Sequence, residues 1–167
     1  MGFRERYFQL VYRMEELKNS ILTFKYPATL DIVRQLVDER NMDIEFENAI
    51  GGENVGRLIV KCSPCDQIVD CNLMIDAFVS YLLSFGLHVP NASVMPAPLR
   101  DGFDACWLFF PESEIKNSKM ETPLMIYANK KWVVQIGLIG PSQELSPVNH
   151  LANQKAFQTI RDTLVFN

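Results

Sequence analysis

Between Asn72 and Gly86 the chain reads NLMIDAFVSYLLSFG, with polar residues at Asn72, Asp76, Ser80 and Ser84 and apolar residues almost everywhere between them. At 3.6 residues per turn, a spacing of four draws one narrow polar stripe down a helix that is apolar on its other sides. Asn72 suits the N-cap, and Gly86 suits the left-handed stop after the last turn. About 13 residues at ~1.5 Å each span roughly 20 Å, short of the ~20 residues a bilayer requires. The pattern predicts a core helix over Leu73–Phe85, wrapped on most sides by other elements.

Upstream, residues 4–22 place Tyr7, Leu10, Val11, Met14, Leu17 and Ile21 at helical intervals, with Arg4, Glu5, Arg13, Glu15 and Glu16 on other faces. This predicts an amphipathic helix to about Ser20. Ile21–Tyr26 also alternates in the manner of a strand. Pro27 breaks the run. Thr29 then caps a second expected helix through Arg40, with Leu30, Val33, Leu36 and Val37 inward and Asp31 near its positive end. Asp43–Asn48 and Gly56–Lys61 alternate around the turn chemistry of Gly51-Gly52-Glu53-Asn54 and predict a β-hairpin.

Downstream, residues 87–102 hold Pro90, Pro96, Pro98 and Gly102 and read as an irregular loop. Ala105–Phe110 is an apolar run short enough for a buried strand, and Glu112–Glu121 reads as an exposed loop. Two apolar strands flank Asn129-Lys130-Lys131, from Pro123 to about Ile139, and form the clearest hairpin in the chain. Ser146-Pro147 offers an N-cap and a proline at the first helical position. The helix they open is expected to run to Leu164, with Leu151, Ala156, Phe157, Ile160 and Leu164 inward.

The expected architecture is a single α+β domain over residues 1–167. It has a largely antiparallel sheet of about five strands, helices mainly on one face, and the order ααββαβββα. In that order of elements the chain is similar to the small acidic chaperones of bacterial secretion systems.

A chain of 167 residues is long enough to bury ~70% of its unfolded surface without staples. Its net charge of -4 argues against nucleic acid and leaves a basic protein as the better-matched partner. No apolar segment follows the charges of the first ten residues, and none reaches transmembrane length, so a cytoplasmic protein with no membrane partner is expected. Its four cysteines (62, 65, 71 and 106) are then expected as reduced thiols.

Cys62-Ser63-Pro64-Cys65 is the sharpest local motif. It resembles the C-x-P-C site of the thioredoxin family, and Thr122-Pro123 before a hairpin is similar to that family's cis-proline. The resemblance implies a thiol–disulfide oxidoreductase with Cys62 as nucleophile, Cys65 as resolving thiol and Pro123 shaping a substrate groove. No tryptophan precedes Cys62, and Asp66 and Asp70 bring negative charge that raises thiol pKa values. A zinc site would use Cys62, Cys65 and Cys71 with His88 or Cys106 as fourth ligand, although only one C-x-x-C pair is present. Neither histidine, His88 or His150, is spaced to suggest a hydrolase, and Glu112, Glu114, Lys130 and Lys131 read as solvated loop residues.

The main expectation is therefore a non-enzymatic binding protein that needs no cofactor: a dedicated inhibitor or immunity protein, a chaperone or an adaptor. Its contact surface would be surplus aromatic area, from Tyr7, Phe8 and Tyr12 on the first helix and from Trp107 and Phe109 on a strand with bulk on both faces. A homodimer through the first helix or an edge strand is the further expectation.

Overall fold

The computed structural model describes residues 13–48, 56–65, 71–84, 86, 93–109, 113–115 and 118–167. Among these are twelve strands and two helices, in two antiparallel sheets.

The first two expected helices are strands where they are described. β1 (Met14–Lys18) and β2 (Leu22–Pro27) form a hairpin in register Met14↔Pro27 to Lys18↔Thr23. Asn19 makes its turn, because its side-chain oxygen accepts from the N–H groups of Ile21 and Leu22, both at 2.9 Å. β3 (Leu30–Val37) replaces the second expected helix and pairs with β4 (Met42–Asn48). Asp38 builds that turn in the same way, accepting from the N–H groups of Arg40 and Asn41 at 2.7 and 2.8 Å. A register shift between Ile32 and Arg34 explains the false helical signal. A bulge changes the phase of alternation, so apolar side chains fall on both faces of one strand and mimic a 3.6-residue period.

The hairpin expected around residue 52 is present as β4 and β5 (Arg57–Pro64), in register Met42↔Cys62 to Glu47↔Arg57. The expected loop at 87–102 contains β6 (Ser93–Arg100), which pairs with β7 (Phe103–Phe109). The expected loop at 112–121 contains β8 (Ser113–Ile115) and β9 (Ser118–Glu121). The clearest predicted hairpin is found as β10 (Leu124–Ala128) and β11 (Trp132–Pro141), with Asn129 accepting from Lys131 and Trp132.

The large sheet has nine strands rather than about five. Seven run in the order β3-β4-β5-β11-β10-β7-β6, and β8 and β9 branch from the end of β11. The small sheet has the order β1-β2-β12, where β12 is Val165–Phe166.

The helices lie on opposite faces of the large sheet, not on one. α1 (Cys71–Ser84) packs Phe78 and Leu82 on Ile59, Cys106, Leu108, Leu124 and Ile126. α2 (Pro147–Thr163) and the small sheet cover the other face, where Phe24, Phe46, Leu58, Val60, Ile136, Phe157 and Ile160 form the larger core. Of the inward set expected for α2, Ala156, Phe157, Ile160 and Leu164 are buried and Leu151 is 55% exposed. Asn153 is buried instead, hydrogen-bonded to Asn48 at 3.1 Å. Glycine at 56 allows this approach, since a Cβ there would lie 2.3 Å from Asn153 Cγ.

Over its described side chains α1 is not a wrapped core helix. Among its described side chains only Phe78 and Leu82 are buried, while Asp76, Ala77, Ser80, Leu83 and Ser84 are exposed. Ser80 and Ser84 return their hydroxyls to the helix's own carbonyls. The helix starts at Cys71, which puts Asn72 inside the first turn rather than at the cap. Gly86 does stop it, with φ of 77° and its N–H donating to Leu83. The observed element order also removes the basis for the likeness to secretion chaperones.

Candidate interaction edge

The C-x-P-C cysteines do not form a reactive pair of the expected kind. β5 runs on through Pro64, so Cys62 sits inside the ladder opposite Met42 on one side and Val134 on the other. Its side chain is buried in the larger core, and burial pushes its thiol up to about 12. Cys65 packs at the rim of the core under α1, on the opposite side of the sheet. Both are thiols in this structure. An attacking thiolate needs exposure and a lowered pKa, and Cys62 has neither. Pro123 is buried, its carbonyl accepts from Leu138 N–H at 3.0 Å, and no peptide bond among the described residues is cis.

Cys106 corrects the expectation of four reduced thiols, because it is disulfide-bonded. That also takes it out of the expected zinc set. The strand sends Cys62 and Cys65 into different cores, so they cannot share a tetrahedral ion. His88 lies outside the described residues, as does the side chain of Cys71. No group of three or more His, Cys, Asp or Glu among the described residues could hold a metal ion.

The aromatic surface expected for binding is only partly described. Tyr7, Phe8 and Tyr12 lie outside the described residues, and of Phe109 only the backbone pairing with Ser93 is described. Trp107 is covered by α2, with its ring 5.7 Å from that of Phe157 and the Arg161 guanidinium 5.5 Å above it. Trp132 is likewise half-buried, with Arg40 over its ring at 5.9 Å. Each tryptophan is half-buried with a guanidinium over its ring.

The largest group of exposed aliphatic side chains on one element, among the described residues, lies elsewhere, on β3. Ile32, Val33, Leu36 and Val37 are all exposed, Val33 at 46% and Leu36 at 59%. β3 ends the large sheet, and among the described residues no strand pairs with its outer side. Over eight residues it contains neither proline nor glycine. Such an edge presents unpaired N–H and C=O groups to any extended chain that reaches it.

Beside this edge, on the α1 face, the three strands β3, β4 and β5 carry a ladder of charge. Register sets Arg34 opposite Glu45, Lys61 opposite Asp43 and Arg57 opposite Glu47. Arg34 lies 3.0 Å from Asp43 and 3.7 Å from Glu45. Arg57 contacts Glu45 at 3.7 Å and Glu47 at 2.5 Å, and Lys61 lies 3.7 Å from Asp43. Tyr81 of α1 donates to Glu45 at 3.4 Å, and its phenol is pushed up by burial and by the Glu45 charge. Three acids and three bases balance here. Their mutual pairing braces the outer strands.

Sequence reasoning missed β3 as a site because it read the strand as a helix. The available signal was a run of β-branched residues, Ile32, Val33 and Val37, followed by the Asp-Glu-Arg-Asn turn.

No helix among the described residues is long and apolar enough to cross a membrane. No protein-family model matches the chain, and no curated protein sequence matches it. Among solved structures it is similar to the solution structure of cyanobacterial PsbP (CyanoP) from Synechocystis sp. PCC 6803, with a TM-score of 0.58, 12% identity and 92% of each chain covered. At that identity the likeness is one of fold: this chain has a PsbP-like mixed α/β architecture.

Proposed function

We propose that this chain is a non-enzymatic protein-binding domain, of the inhibitor, chaperone or adaptor kind, that takes an extended segment of another protein along the outer edge of β3. One observation carries the reading: an eight-residue edge strand, free of proline and glycine, that exposes four aliphatic side chains. Strand addition of this type draws affinity from main-chain hydrogen bonds and selectivity from alternate side chains. The burial of Cys62 and the mutual pairing of the Arg34–Lys61 ladder support a binding role over a catalytic one. The disulfide at Cys106 supports an oxidising place of work over the cytoplasm expected from the sequence.

The test compares the wild-type chain with Val37→Pro as bait in an extract of the native host. A binding edge predicts that a specific partner held by the wild type is lost from Val37→Pro and kept by a Cys62→Ser/Cys65→Ser double variant. Retention of the same partner by Val37→Pro would overturn the proposal.

A further inference from the structure

The outer side of β3 has a definite hydrogen-bonding phase. Asp38 N–H donates to Asn41 C=O at 3.0 Å and closes the β3–β4 hairpin, so the backbone of residue 38 faces β4. Antiparallel ladders alternate residue by residue. Leu36 and Arg34 therefore also bond toward β4, while Gln35 and Val37 direct their N–H and C=O groups outward. The register shift lies before Arg34, so this phase holds through the whole segment 34–38.

From this phase we infer that β3 pairs antiparallel with β3 of a second copy of the chain, about a two-fold axis at Leu36. This rests on the reading of β3 as a docking edge and gives that edge a weaker occupant in the absence of the foreign segment. The axis sets Gln35 opposite Val37 of the second copy, and Val37 opposite its Gln35, so four outward backbone bonds form. Leu36 meets Leu36 in the close, non-hydrogen-bonded position between them.

Charge selects this register. Arg34 and Asp38 share the α1 face, and the Leu36 axis brings each opposite the other in the second copy, twice over. The guanidinium of Arg34 is 50% exposed and bonds Asp43 from one side. Among the described residues, the Asp38 carboxylate accepts from turn amides and the Asn41 side chain, and those bonds hold its pKa below the usual value, so it stays charged. An axis at Gln35 would instead place Arg34 opposite Leu36, and an axis at Val37 would place Asp38 opposite Leu36. Five paired residues bury less than the ~1,200 Å² of a standard interface, so the dimer is a weak one.

Sedimentation of the full chain from about 10 to about 500 µM, where a weak dimer must populate, reads the association directly. The wild type is expected to move from monomer to dimer, and Leu36→Lys, which sets like charges face to face, is expected to weaken it about tenfold or more. The register is read separately by mild oxidation in a Cys65→Ser background. Leu36→Cys is expected to give a disulfide-linked dimer and Gln35→Cys is not. A wild type that stays monomeric, a dimer indifferent to Leu36→Lys, or cross-linking at 35 in place of 36 would each overturn the inference. The docking reading fails on a different result: if Val37→Pro keeps its foreign partner, that reading is lost whatever the sedimentation shows. A monomeric wild type whose Val37→Pro variant loses its partner would end self-pairing alone.

Discussion

At one end of the large sheet, β6 carries Pro96 and Pro98, which have no N–H to offer a further strand. At the other end, β3 carries Ile32, Val33, Leu36 and Val37 in the open and no proline at all. Proline on an edge strand is one of the common ways a sheet is protected against unwanted pairing. One sheet thus has a blocked edge and an unblocked one, although both strands are eight residues long. The difference is what sets β3 apart as the candidate docking edge. Among the described residues, β3 is protected by the bulge near Val33 and by the charges of Asp31 and Arg34.

The sharpest way to break this comparison is to move one strand inward. Phe46 on β4 is fully buried against Phe24 and Tyr26, and Phe46→Ala is expected to cost about 3–5 kcal/mol in urea unfolding. Leu36→Ala, one strand away, is expected to change stability by less than about 0.5 kcal/mol. Comparable losses from the two would mean that β3 is covered. Next in size is a contrast between neighbouring residues. Leu36→Pro removes a bond to β4 and is expected to cost about 2 kcal/mol or more, while Val37→Pro, whose N–H faces outward, stays within about 1 kcal/mol. Hydrogen exchange on β4 would report the same contrast, and a reversed order would invert the assigned phase.

The charged ladder beside β3 comes third. Glu45→Ala leaves Arg34 and Arg57 short of an acid on a half-covered face, and a loss of about 1–3 kcal/mol is expected. Glu45→Gln, which still accepts from Tyr81, is expected to lose less in the same melt. A pH-dependent effect lies in the core away from the edge. The Cys62 thiol is raised from 9.0 to about 12, so the folded state holds that proton more tightly than the unfolded one. Its contribution is complete below pH 9 and is lost as pH rises toward 12. Tyr26, raised to about 12 by burial and by Glu15, adds in the same direction. Urea unfolding between pH 9 and 11 is expected to show a shallower decline for Cys62→Val than for the wild type. An unchanged slope would remove Cys62 from the alkaline loss.

Legibility in the sequence followed the kind of element. The hairpin at Asn129 and the helix opened by Ser146-Pro147 were readable because their strands and face alternate cleanly against a buried neighbour. β3 was not, since a strand exposed on both faces has no burial to enforce a period of two, and its bulge scrambles what remains. Asn19 and Asp38 build their turns with the same side-chain bonds as Asn129, yet helical spacing of apolar residues read straight through them. α1 misled in the opposite sense. Among its described side chains only Phe78 and Leu82 are buried, and composition alone does not tell how many sides of a helix are covered. For the site, the motif with the most chemistry, Cys62–Cys65, belongs to two cores, and the strand that exposes four aliphatic side chains carries no motif.

The place of β11 has a consequence for synthesis. It joins β5 to β10 in the middle of the sheet, yet it begins only at Trp132. Until that residue leaves the ribosome, the β3–β4–β5 meander stands open along β5 as well as β3. At ~5–20 residues per second, that interval is several seconds. The nascent meander therefore has two unpaired edges where the finished one has one, and slowing translation between residues 65 and 131 should lengthen that window, read as more aggregate per chain made.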